Sequence, residues 1–88
     1  MHTDEYEISV GREINHCRKL VKKLQDAILD REKRYGMTTE SFLEKFRAGL
    51  QEVSNPDYRK WHEDHRELQR WRQMLSDYEA AYRSLKEI

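Results

Sequence analysis

The 88-residue chain has one cysteine, one proline and three glycines, and no apolar run longer than three residues, as at Ala27 to Leu29. Each scarcity excludes something. A single Cys17 excludes an intrachain disulfide and a cysteine-based metal framework. So few glycines exclude a glycine-rich phosphate loop. Runs this short exclude a membrane-spanning helix. Net charge is lacking too, with 17 basic and 17 acidic side chains. The balance holds locally: residues 1–35 carry eight basic and seven acidic groups, residues 36–54 two and three, residues 55–88 seven and seven. A general nucleic-acid binder needs surplus positive charge to displace counterions, so any such role would need a basic face created by folding. A lone cysteine at a core-like position, with no hydrophobic leader, leads us to expect a reducing cytoplasm.

What is abundant is charge, at 39% of residues, set among 36% hydrophobic ones. Rich in Glu, Lys, Arg and Leu and poor in breakers, the chain reads as long helix. At this size it forms one domain, residues 1–88, that buries only about 60–65% of its unfolded surface.

In the first segment Val10, Ile14, Cys17, Val21, Leu24 and Ile28 are spaced 4-3-4-3-4, and the same spacing reaches Arg31 and Tyr35. That is a heptad-like seam. Gly36 stands where a left-handed residue ends a helix. The start is open: Thr3 or Ser9 is a suitable cap, and the alternation of Tyr6, Ile8 and Val10 also fits a short strand, as in ribbon-helix-helix DNA binders.

A short helix follows. Thr38 caps it, Met37 and Phe42 fit a hydrophobic staple, and Phe42, Leu43, Phe46 and Leu50 form its apolar face before Gly49. "SNPDY" then opens the last helix, with Asn55 as cap and Pro56 at the first position. Its seam reads Trp61, Asp64, Leu68, Trp71, Leu75, Tyr78, Tyr82 and Leu85, interrupted by Asp64. We therefore expect an all-α fold. Two long antiparallel helices, about 5–35 and 56–87, are joined by a short one at about 39–49. Each long helix spans roughly 45 Å. Tyr35 and Ile28 then lie near Tyr58 and Trp61, and Val10 near Leu85.

The last segment carries more than one apolar line, with Met74 and Ala81 beside the seam. One facing helix cannot cover that width. The end of the hairpin around residues 10–20 and 74–88 is thus expected to expose apolar area and to meet a partner. Trp71, Met74, Leu75, Tyr78 and Tyr82 are the expected contact residues, acting as hydrophobic anchors. A homodimer closing a four-helix bundle is the simplest partner, and a different protein the next.

Catalytic and metal signals are sparse. "WHEDH" sets His62 and His65 one turn apart without a third ligand, and does not match the H-E-x-x-H zinc pattern. A solvated face is the better reading, and no metal, cofactor or catalytic residue is expected. Arg59 and His65 have the spacing of the Arg-x(4–6)-His signature in helical HEPN-type ribonucleases, an alternative in which the histidine would move a proton.

The middle of the chain resembles a known family. Tyr35-Gly36-Met37-Thr38-Thr39-Glu40-Ser41-Phe42, then Glu44-Lys45-Phe46 and Gly49, then Asp57-Tyr58 and Trp61, is similar to a pattern in small prokaryotic helical proteins that act as antitoxins in toxin–antitoxin pairs. The similarity covers about residues 33–61. "QEVSNP" departs from the acidic Gly-Asp-rich turn of that pattern. The resemblance implies a non-enzymatic protein that binds a cognate toxin through its helical hairpin and masks it.

Overall fold

The computed structural model describes residues 5–50 and 54–86. Three helices follow one another: α1 (Glu5–Tyr35), α2 (Thr39–Arg47) and α3 (Pro56–Lys86). α1 and α3 run antiparallel as a rod of 58 × 19 × 19 Å, and α2 closes one end. The expected all-α hairpin is the observed architecture.

The helix ends form as the punctuation dictates. At the end of α1, Gly36 adopts φ 62 and the Met37 N–H reaches back to the Glu32 carbonyl at 3.2 Å. At the end of α2, Gly49 adopts φ 75. The Leu50 N–H donates to the Lys45 carbonyl (2.8 Å) and the Gly49 N–H to that of Phe46 (3.2 Å). Both bonds belong to a Schellman ending, which satisfies carbonyls the helix leaves open. Thr38 caps α2, accepting from the Ser41 N–H at 3.1 Å. Asn55 caps α3, its side-chain oxygen accepting from the Asp57 N–H at 2.9 Å.

Three expectations are corrected. The strand reading of Tyr6, Ile8 and Val10 fails, because all three lie within α1, and with it fails the ribbon-helix-helix comparison. Ser9 is interior to α1, so it is no cap; Thr3 lies outside the described residues. Leu50 does not complete the apolar face of α2. The helix stops at Arg47, and the turn at Gly49 carries Leu50 outward until it is 76% exposed.

The core sits at the corner. Ile28, Phe42, Leu43, Trp61 and Leu68 are buried together, with Val21, Leu24, Tyr35, Met37, Phe46 and Tyr58 packed around them. Phe42 lies flat on Trp61, ring centroids 4.0 Å apart, and Tyr35 stacks on the same indole at 5.8 Å. Farther along the rod Val10, Ile14 and Cys17 are buried at the α1–α3 seam. Burial and the nearby Glu13 push the Cys17 thiol pKa up, leaving it an inert apolar filler.

Candidate functional site

α3 presents two different flanks, and helical geometry decides which residues share each. Residues three, four and seven apart face the same way. Trp71, Met74 and Tyr78 follow that spacing on one flank. Leu75 and Tyr82, seven apart, share a neighbouring line. All five are half-buried. Trp71 meets the edge of His16 on α1 at 5.8 Å and 87°. Leu20 and Ala27, four and eleven residues beyond His16, are half-buried on that side of α1. Tyr82 lies beside a cleft formed with Ile14, Arg18 and Glu79, and the Lys86 ammonium sits 5.2 Å from its ring. The large apolar side chains that are exposed, Tyr6, Ile8, Leu29 and Leu50, lie elsewhere.

The corner end holds a charged network that the sequence shows only as two flaws. Arg31 and Asp64 each interrupt the seam of their own helix. In the fold they meet across it, Arg31 Nη1 donating to Asp64 Oδ2 at 2.7 Å. The Asp64 side chain is 6% exposed and that of Arg31 12%, so the pair is nearly dry. Lys60 adds a second bond to Asp64 at 3.1 Å. Arg31 also donates through Nε to Asp57 at 3.2 Å, and Asp57 accepts from the Tyr35 hydroxyl and from Arg34. The Tyr35 bond, followed by Arg31 and Arg34, holds the Asp57 carboxyl below the usual carboxylate range. The same bond raises the Tyr35 phenol.

Thr39 was missed beside the more obvious cap at Thr38. Its N–H donates to Glu32 of α1 at 2.7 Å, and its hydroxyl accepts from the Trp61 indole of α3 at 3.1 Å. One small residue thus ties α2 to both long helices. Its own side-chain chemistry carries no signal, since the partners lie 7 and 22 residues away.

The other flank of α3 faces α2. His65, Leu68, Gln69 and Arg72 line a groove of about 740 Å³ with Ile28, Leu29 and Glu32 of α1 and Thr38 to Glu40 of the α2 start. Arg59 lines a separate groove of about 470 Å³ with Phe46, Pro56, Lys60 and His62. Arg59 and His65 are therefore not brought to one cleft. His62 stacks on Phe46 at 5.0 Å, and Asp64 of "WHEDH" is committed to Arg31. Among the described residues no three His, Cys, Asp or Glu side chains are placed to hold a metal ion, and no helix is long and apolar enough to cross a membrane.

Comparison of the chain with protein-family models, curated proteins and solved structures finds no match.

Proposed function

We propose that the chain is a non-enzymatic protein-binding module of the cytoplasm. In this reading it is antitoxin-like and masks a toxin-like partner with the side of its hairpin. The supporting observation is the state of Trp71, Met74, Leu75, Tyr78 and Tyr82. They run along three turns of α3, yet every one is left half-buried, and among the described elements α1 is the helix that packs extensively against α3. Aromatic side chains poised in this way gain most from a further layer, and Trp and Tyr dominate interface energetics. The resemblance of residues 33–61 to antitoxins names the kind of partner.

Co-expression with the product of a neighbouring toxin-like gene tests it. A stable complex and rescue of growth are expected, with Trp71→Ala/Tyr78→Ala weakening capture at least tenfold while the helical signal persists. No complex and no rescue would sink the proposal. The same strip favours a second reading, a structural homo-oligomer in which two hairpins close a four-helix bundle. Sedimentation separates the two: a monomer at high concentration that dimerises only with a foreign partner excludes the self-assembled bundle.

A further inference from the structure

Beside the α3 strip, α1 is locally basic. Residues 14–25 hold Arg18, Lys19, Lys22 and Lys23 and no carboxylate. Folding divides these cations. Arg18 is taken by Glu79 at 3.0 Å and Lys22 by Asp26 at 3.2 Å. Lys19 and Lys23, and Arg12 before them, are exposed and form no ion pair among the described residues. Arg12, His16, Lys19 and Lys23 stand at i, i+4, i+7 and i+11, which sets them on one face of the helix. His16 is the member of that line that meets Trp71, so the line follows the α1 edge of the strip.

Nearby carboxylates do not cancel this charge. Glu13 acts on the Cys17 thiol of the seam, and Asp30 is held by Arg34 at 2.8 Å. The α3 edge is closer to balance, with Glu67 4.0 Å from Arg70 and Asp77 accepting from Gln73 at 3.0 Å. Between the two edges the surface is apolar: Trp71, Met74 and Tyr78 on α3 continue into the half-buried Leu20 and Ala27 of α1. Apolar side chains at helical spacing on two antiparallel helices form the ridges on which a third helix packs.

We propose that the strip takes an amphipathic helix of another protein, with acidic side chains along the flank that faces α1. The inference rests on the protein-binding reading and specifies its partner. Apolar anchors meet Trp71, Met74 and Tyr78, and carboxylates meet Arg12, Lys19 and Lys23. A nucleic acid uses cations and rings but leaves the aliphatic Leu20, Ala27 and Met74 uncovered, so the apolar area favours a protein. A second copy of the chain brings the same surplus of positive charge, and like charges set together oppose association.

Fluorescence anisotropy of the full chain with two labelled helical peptides of about 20 residues tests the inference. Both peptides carry the same leucine stripe; one has glutamates along its flanks and the other lysines. The wild type is expected to bind the glutamate peptide about tenfold more tightly, with the preference shrinking as salt is added. Lys19→Glu/Lys23→Glu, at exposed positions, is expected to reverse the order, with circular dichroism checking that the helices persist. Trp71→Ala/Tyr78→Ala is expected to weaken both peptides and keep the order. Equal binding of the two peptides, or a preference that charge reversal leaves unchanged, overturns the acidic partner and leaves the strip a protein-binding surface. Binding of neither peptide, or binding that survives the loss of Trp71 and Tyr78, overturns the proposal together with the reading beneath it. Full displacement of the glutamate peptide by oligothymidylate assigns the cations to nucleic acid, and a sedimenting dimer that excludes both peptides assigns the strip to a second copy; either result overturns the proposal.

Discussion

At the corner of the rod Trp61 and Phe42 are fully enclosed, three helices contribute to the packing, and side-chain hydrogen bonds bind each helix to the other two. At the far end two helices meet through the smaller Val10, Ile14 and Cys17, while the large rings of Tyr78 and Tyr82 remain half wet. The cross-helix ion pairs there, Arg18 with Glu79 and Lys86 with Glu7, are partly exposed on both sides, unlike the nearly dry Arg31–Asp64 pair, and pairs open to solvent contribute little. The difference teaches where stability and availability are kept. The corner concentrates enclosed area and satisfied polar groups. The far end leaves its aromatic surface only half-buried.

Substitutions can break or sharpen that contrast. Trp61→Ala is expected to cost most, about 4 kcal/mol, because it empties the centre of the corner and strands the Thr39 hydroxyl. Urea unfolding followed by circular dichroism measures it. Asp64→Ala is expected to cost about 3 kcal/mol by leaving Arg31 buried without its nearest carboxylate. Arg31→Met/Asp64→Leu should recover most of that loss, and a double variant as weak as the single one would show that the charges stabilise the seam outright. At the far end Ile14→Ala is expected to cost about 2 kcal/mol, the low end for a buried aliphatic, since neighbouring chains can relax into the space. A cost equal to that of Trp61→Ala would erase the contrast between the two ends.

The smallest effect is the most sensitive to pH. Tyr35→Phe removes the leading cause of the depressed Asp57 pKa, and is expected to lower stability at neutral pH by less than any of the changes above. A carboxyl with a lowered folded pKa contributes stability that is complete above its ordinary value of 3.8 and is lost as pH falls through the lowered one. The gap between wild type and Tyr35→Phe should therefore be constant near neutrality and close below about pH 4. A gap that widened with acid would show that the phenol stabilises something other than the ionised Asp57.

The sequence discloses this contrast unevenly, for physical reasons. Gly36, Thr38, Gly49 and the Asn55–Pro56 pair act on their own backbone, so their effect can be read where they stand. The apolar spacing likewise reports which side of each helix is buried. Arg31 and Asp64 cannot be read that way. Each looks like a defect until a partner 33 positions distant is placed opposite it. Leu50 has the right spacing and the wrong environment, because a positive φ one residue earlier redirects the chain. Of the candidate sites, the five residues of the α3 strip follow from periodicity. The stacking of Phe46 on His62 depends on the angle at which α2 crosses α3, which no spacing encodes.

The bonds that define the corner also bear on the order in which the chain folds. Tyr35 to Asp57 and Thr39 to Trp61 each join residues 22 apart, whereas Arg18 and Glu79 are separated by 61. Closing the longer loop first costs about 1 kcal/mol more entropy. The expected course starts at the corner and zips outward, so that the ends of the two long helices dock last and part first. The aromatic strip would then lie on the last-ordered stretch of the rod, able to settle against a newcomer without disturbing the end where folding began.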